Sequence, residues 1–127
     1  MSLTELNPFL PFYLVLSAVL GSFMNMLVWR LPRKESLGGR SHCFSCGHVL
    51  SVLDLIPIVS WLALHGRCRY CGVKIPFRYL WLELGMLISW SLCWWLSTTL
   101  LQLIVSSAVV SIIFFGVALW HAWPKAK

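Results

Sequence analysis

Two short and similar cysteine motifs are the residues of this sequence best suited to chemistry. They read Cys43-Phe44-Ser45-Cys46-Gly47 and Cys68-Arg69-Tyr70-Cys71-Gly72, and residues 47 to 67 separate the second cysteine from the third. Each Cys-x2-Cys turn directs two thiolates toward one point, and the following glycine permits a tight backbone turn. Two such turns complete a tetrahedral zinc site. We therefore predict that zinc is bound by Cys43, Cys46, Cys68 and Cys71.

A zinc ion with four thiolate ligands has no open position for water, so this metal is expected to be structural rather than catalytic. Zinc with four thiolates carries a formal charge of about −2, and nearby cations offset it and favour the thiolate forms. The sequence supplies these cations as Arg40, Arg67, Arg69 and Lys74.

Other interpretations of the cysteines remain open. The four could form two disulfides or a redox pair, although a loop facing a reducing compartment disfavours both. Three histidines near the motifs, His42, His48 and His65, could replace a ligand or act as a base, but four cysteines already satisfy the metal. Cys93 lies in an apolar run and is interpreted as a packing residue.

The elements that must position this metal loop are membrane helices. The chain is 59% hydrophobic and only 11% charged, which excludes an ordinary soluble domain or a disordered tail. Residues 8–29 lack charge, and residues 79–123 carry one charge, Glu83. We predict an all-α membrane protein with helices at about 8–29, 80–97 and 100–122 and a zinc-ribbon-like loop at 30–78, all within a single domain, 1–127.

Basic residues give this architecture an orientation. Eight of the ten Lys and Arg residues lie between positions 30 and 78, and the other two are Lys125 and Lys127. With three spans, the loop and the C-terminus share one face, which the positive-inside rule predicts to be cytoplasmic. Few aromatic residues lie next to these cations, so membrane lipid is the expected surface partner and nucleic acid is not.

Several ordered motifs resemble the N-terminal part of the bacterial type IV prepilin peptidases. The resemblance covers nearly the whole chain and rests on Gly21-Ser22-Phe23-Met24-Asn25, Trp29-Arg30-Leu31-Pro32, both cysteine motifs, Asp54-Leu55-Ile56-Pro57-Ile58-Val59-Ser60-Trp61, Gly66-Arg67, Arg78-Tyr79 and Glu83-Leu84. It implies a multi-pass protein of the bacterial inner membrane.

The resemblance also implies two activities on type IV prepilins or type II secretion pseudopilins. Family members remove the prepilin leader with two aspartates, and they methylate the new N-terminal amine with S-adenosylmethionine. This sequence contains one aspartate, Asp54, in the loop, so leader cleavage by this chain alone is not expected. A stand-alone methyltransferase, half of a split enzyme that pairs with a separate aspartyl half, and a noncatalytic zinc-containing membrane module remain open.

The methyltransferase interpretation assigns roles to three residues. The resemblance links methylation to the pair Gly66 and Arg67. Gly66 would allow close approach to a ligand, Arg67 would bind the carboxylate of S-adenosylmethionine, and Glu83 would meet the pilin amine. The alternatives are a structural turn at Gly66, lipid phosphate at Arg67, and pairing of Glu83 with a nearby arginine.

One further polar residue lies at membrane depth. Gly21, Ser22 and Asn25 are spaced as in a closely packed helix interface, so Asn25 is expected to form an interhelical hydrogen bond. No glycine-rich nucleotide motif of the Rossmann or Walker type occurs, so any S-adenosylmethionine site would be unconventional.

Overall fold

The protein is described here from a computed structural model, which covers residues 7–123. Over that range the chain is helical and contains no β-strand. Its helices are α1 (Leu10–Arg33), α2 (Val59–Ala63), α3 (Arg78–Leu96) and α4 (Leu100–Ala122), with single 3-10 turns at Asn7–Phe9 and Leu53–Leu55. The all-α prediction is therefore confirmed for the described residues.

Local sequence explains the helix ends. Helix α1 has a proline in its first turn and is capped at its C-terminal end by Lys34, which adopts a left-handed conformation and donates its N–H to the carbonyls of Arg30 and Leu31. The turn between α3 and α4 is polar. There the Thr99 side chain accepts a hydrogen bond from the Gln102 N–H and caps α4.

Helices α1, α3 and α4 form a three-helix bundle with α3 at its centre. Leu82, Met86 and Trp90 of α3 form the main core cluster. Cys93 packs in a second cluster with Trp94 and Leu103, which supports its interpretation as a packing residue. Hydroxyl groups bridge the helices inside the bundle, since Ser107 bonds to the Tyr13 hydroxyl at 2.6 Å and Ser111 accepts from the Trp90 Nε1 at 3.1 Å.

The outer faces of the bundle are apolar. On α4, Leu101, Ile112 and Trp120 are each more than 70% exposed. Such an apolar surface is unfavourable in water and suited to contact with lipid. By length and composition, two helical stretches among the described residues are suited to cross a membrane, Asn7–Arg33 and Leu100–Ala122. Helix α3 does not meet that criterion, so the sequence prediction of three spans is supported for two helices.

Small residues let α1 approach α3 closely. A Cβ placed on Gly21 would lie 3.0 Å from the Cα of Glu83, which is a backbone contact that cannot be relieved by a side-chain rotation. Four residues further along α1, Asn25 Nδ2 donates to the Tyr79 carbonyl at 2.9 Å. This is the interhelical hydrogen bond expected from the sequence, and together the two contacts fix where Glu83 lies.

We expect Gly21→Ala to destabilise the bundle by about 1–3 kcal/mol, because the added methyl group must push α3 away. Gly116→Ala is the matched control, since a Cβ at this glycine of α4 meets nothing within 4 Å. The measurement is the free energy of unfolding of both variants in the same detergent. Equal stability of the two variants would contradict the close α1–α3 contact.

Candidate metal centre and adjoining cavity

The two cysteine motifs fold into nearly identical turns. In the first, the Gly47 N–H donates to the Cys43 carbonyl at 3.0 Å; in the second, the Gly72 N–H donates to the Cys68 carbonyl at 3.0 Å. Both glycines have positive φ, 70° and 72°, which is the left-handed conformation that glycine adopts without steric cost. The expected role of the glycine after each cysteine pair is therefore confirmed.

A single antiparallel bridge flanks each turn, His42 with Val49 and Arg67 with Lys74. These bridges hold the two arms of each turn together, although neither extends into a strand. The loop thus resembles a zinc ribbon in its turns but has no ribbon sheet within the described residues.

The four cysteine sulfurs meet at one point. They all lie within 4.8 Å of one another, and the Cys43 and Cys71 sulfurs are 3.8 Å apart. Four ligands at a zinc–sulfur distance of about 2.3 Å in a tetrahedron place neighbouring sulfurs about 3.8 Å apart. Cys43 and Cys68 are buried while Cys46 and Cys71 are exposed, so the site lies at the loop surface. The cysteines are positioned to bind a metal ion, and no histidine of the described residues joins the group.

The electrostatics of the cysteines favour a cation at this point. Burial opposes ionisation of Cys43, but hydrogen bonds from the Cys46 and Ser45 N–H groups and from neighbouring thiols lower its pKa to about 7. At Cys46 the His48 N–H favours the thiolate, yet partial desolvation and the adjacent sulfurs of Cys43 and Cys71 outweigh it and raise the pKa to about 11. Four thiolates cannot share this space without a positive charge between them.

Asp54 ties the two halves of the loop together. Its carboxylate accepts hydrogen bonds from the Ser51 N–H and hydroxyl, at 3.0 and 2.8 Å, and from the Arg69 Nε at 2.7 Å. The Tyr70 hydroxyl is a weaker donor at 3.3 Å. Burial opposes the charge of Asp54, but Arg69 and Ser51 hold its pKa at about 2. The aspartate that sequence reasoning treated only as an insufficient peptidase residue is therefore a structural anion of the metal loop.

A cavity of about 190 Å³ lies between this loop and the end of the helical bundle. Its wall includes aromatic rings, namely Trp29, Phe44, Trp61 and Tyr79, and polar groups of both helices, among them Asn25, Arg30 and Glu83. Two metal-site cysteines, Cys43 and Cys68, also line it. The metal centre therefore forms part of the wall of the cavity.

Glu83 is the acidic group that α3 contributes to this cavity. It is 8% exposed, and its Oε2 accepts a hydrogen bond from the Ile58 N–H at 2.7 Å. Ile58 has a φ of 63°, which is unusual for a β-branched residue and is maintained by the surrounding contacts. Within the described residues Glu83 forms no ion pair with Arg30 or Arg78.

The other two predicted site residues do not line the cavity. Gly66 is buried behind Trp61, and a Cβ there would lie 2.6 Å from the Trp61 ring. Its φ of 65° adds a second reason for glycine. Arg67 is exposed on the bridge to Lys74. Glu83 thus lines the cavity, whereas Gly66 lies behind the Trp61 ring that forms part of the cavity wall.

Sequence reasoning missed two other residues of this wall. Arg30 is only 5% exposed, although it was counted merely as one of the positive charges of the loop. The Trp61 Nε1 is buried and has no hydrogen-bond partner among the described residues. Their place in the Trp29-Arg30-Leu31-Pro32 and Asp54–Trp61 motifs was the available signal, but neither motif indicates which side chain faces a cavity.

Comparison with known proteins identifies the family. The family model described as "Bacterial Peptidase A24 N-terminal domain" matches residues 15–97, which is more than half of the chain. The chain belongs to this family. The matched A24 N-terminal domain includes α1 from residue 15 onward, the whole metal loop and α3, so every residue that lines the cavity lies within the matched segment.

Individual relatives of this A24 domain support the same family assignment. A Vibrio cholerae protein named "Prepilin leader peptidase/N-methyltransferase" is 36% identical over 115 residues, covering 84% of this chain and 46% of that protein. A Myxococcus xanthus protein of the same name is 48% identical over 77 residues, covering 60% of this chain and 23% of that protein. The chain spans less than half the length of each. No solved structure matches it.

These comparisons and the two apolar helices together indicate a membrane protein related to the N-terminal part of the prepilin peptidases.

Proposed function

We propose that this A24 domain transfers a methyl group from S-adenosylmethionine to the N-terminal amine of mature type IV pilins or type II secretion pseudopilins. The observation that carries the proposal is the aromatic cavity with Glu83 on its wall, held between the bundle and the metal loop. The names of the relatives, which include N-methyltransferase, support it.

The lining fits both reactants. S-adenosylmethionine supplies a methyl group attached to a positively charged sulfur, and aromatic faces together with a carboxylate attract such a cation. The Trp61 ring and the Glu83 carboxylate are the groups of this chain that would do so, since the Arg33 guanidinium already lies 3.5 Å from the centre of the Trp29 ring. Because the sequence contains no glycine-rich nucleotide motif, this S-adenosylmethionine site would be unconventional.

Glu83 has the chemistry to prepare the amine. A primary amine must lose a proton as its nitrogen gains a methyl group, so a base within hydrogen-bond reach is required. The Glu83 carboxylate accepts a hydrogen bond from the Ile58 N–H and lies near the Ser22 and Asn25 side chains, and in this proposal its remaining acceptor capacity binds the amine and takes its proton. The buried setting keeps water from competing for that oxygen.

The remaining site residues take supporting roles in this proposal. Gly66 lets the Trp61 ring pack against the backbone and thereby shapes the cavity. Arg67, exposed outside the cavity, contacts lipid phosphate or the surface of the incoming pilin segment. Zinc at the four cysteines is structural, since four thiolates leave it no open position.

Leader cleavage is not part of the proposal for this chain. Asp54 is fully engaged by Arg69 and Ser51, so it is unsuited to activate water. The second candidate function, a noncatalytic zinc-containing module or one half of a split enzyme with an aspartyl partner, is favoured by the four-cysteine cluster, which would leave a bound zinc no open position.

For the membrane arrangement we propose that α1, α3 and α4 all span the bacterial inner membrane, with the zinc loop and the C-terminus in the cytoplasm. The supporting observation is that α3, although less apolar, is the centre of a bundle whose two other helices can span. A fluorescent protein that folds only in the cytoplasm, fused to the C-terminus, should be bright. A dark fusion together with a periplasmic signal from the same position would contradict this topology.

The test of the function uses zinc-loaded protein in detergent, labelled S-adenosylmethionine and a peptide with a free N-terminal phenylalanine. We expect labelled methyl on the peptide amine, while an intact prepilin retains its leader. Absence of transfer by folded, zinc-containing protein would favour the noncatalytic module, and transfer that appears only with an added aspartyl half would favour the split enzyme.

A further inference from the structure

Arg30 is a buried cation without a buried anion. Its Nη1 donates to the carbonyls of Ser36 and Gly38, at 3.0 and 2.9 Å, and its Nη2 donates to the Arg40 carbonyl at 3.3 Å. These contacts are to neutral groups, and the ion pair among the described residues joins Arg69 to Asp54 instead. A guanidinium that is 5% exposed therefore keeps its full charge uncompensated.

The bonds already made leave a specific part of Arg30 free. A guanidinium has five N–H donors, and three are used on the loop carbonyls. The Nε–H and one Nη2–H remain, and they lie on neighbouring nitrogens, which is the arrangement that binds a carboxylate with two parallel hydrogen bonds. Arg30 lines the cavity, so a ligand there lies beside this side chain.

Trp61 supplies a second donor without an acceptor. Trp61 lines the same cavity, and its Nε1–H is buried and bonds to nothing in the described part of the chain. A buried donor left unpaired costs on the order of 1–3 kcal/mol, so a ligand oxygen that meets it recovers that energy. The ring cannot turn away easily because it is packed against Gly66 on one side and stands edge-on to Phe77 at 5.8 Å.

The acidic and basic groups lie at different levels of the cavity. The Glu83 carboxylate lies near the side chains of Ser22 and Asn25 of α1, and Arg30 is five residues beyond Asn25, or about 7.5 Å at the rise of an α-helix. The level of Glu83 therefore suits a cation, and the level of Arg30 suits an anion. A ligand with a positive centre and a carboxylate separated by a short chain matches this order.

We propose that Arg30 and Trp61 bind the methionine end of S-adenosylmethionine, with its carboxylate on the free edge of Arg30 and an acceptor oxygen of the same molecule on the Trp61 Nε1–H. The proposal rests on the methyltransferase function above. It reassigns carboxylate binding from Arg67, which is exposed outside the cavity, to Arg30, which is buried in its wall.

The experiment compares equilibrium binding of S-adenosylmethionine and of decarboxylated S-adenosylmethionine to the zinc-loaded full chain in detergent. We expect wild type to bind the intact ligand about 10- to 100-fold more tightly, the effect of a charged hydrogen-bonded pair. Equal affinity for the two ligands would overturn the proposal and leave the function standing. Binding of neither ligand would overturn both.

Two variants locate the effect. Arg30→Lys should lose most of the preference for the intact ligand, because an ammonium cannot form the two-bond contact. Trp61→Phe should weaken binding of both ligands several-fold while its thermal unfolding midpoint stays level or rises, since the unpaired donor has been removed. A Trp61→Phe protein that unfolds earlier and binds as wild type would show that the indole N–H is structural.

Discussion

Glu83→Gln should lower the rate of methyl transfer by about 100- to 10,000-fold, the range that loss of a positioned general base produces. Glutamine has the same size and can still accept the hydrogen bond from the Ile58 N–H, so the local backbone should be maintained. What it lacks is the negative charge that binds an ammonium group and takes its proton. We therefore expect the loss mainly in kcat, with zinc content and unfolding temperature unchanged.

The matched control is Glu35→Gln, which removes an equal charge from the loop outside the cavity lining. It should transfer methyl at a rate close to that of wild type. Glu83→Asp keeps the charge on a shorter side chain and should give an intermediate rate. A Glu83→Gln protein as active as wild type would remove Glu83 from the reaction and leave the cavity without its base.

Zinc removal should have the largest effect on structure. Binding of a structural zinc to four cysteines has an apparent free energy of about 10–16 kcal/mol, and in small domains that energy is folding energy. We expect one zinc per chain, and we expect a chelator to expose the backbone amides of the loop at 41–75 while those of α4 stay protected. Hydrogen exchange with mass spectrometry resolves the two regions.

Cys46→Ser tests the same point without a chelator. Loss of one ligand should weaken zinc binding by more than about 100-fold, since even outer-shell changes cost 10- to 100-fold. Cys93→Ser is the control, because this cysteine is buried in the bundle and outside the metal cluster. Full zinc occupancy in Cys46→Ser, or four reactive thiols in the purified wild type, would contradict a four-cysteine zinc site.

The sequence predicted the parts of this molecule that depend on local pattern. Apolar run length indicated the long helices, and the Cys-x2-Cys-Gly spacing indicated that four sulfurs converge. Asn25 was predicted to bond between helices from the small residues beside it, and it does so at Tyr79. Each of these inferences follows from periodicity or from a short motif with a fixed geometry.

What the sequence did not reveal depends on long-range packing. Asp54 and Arg69 are fifteen residues apart, and only the folded loop brings them within 2.7 Å. The direction of the Arg30 side chain likewise depends on carbonyls of the segment that follows α1. Helix α3 was predicted to span on the same basis as its neighbours, yet it does not meet the criterion that they meet, and its buried residues include Trp90, Trp94 and Glu83.

The metal centre also affects the entropic cost of pairing α1 with α3. The 44 residues numbered 34–77 separate the two helices, and as a free chain they would span about 37 Å on average, more than a bilayer core. Closing such a chain costs roughly 3 kcal/mol of entropy. Metal binding between Cys43 and Cys71 folds most of this segment into a compact unit. The flexible connection between α1 and α3 is then shorter, which raises the effective concentration of each helix for the other. A metal bound outside the apolar bundle thus contributes to helix pairing within it.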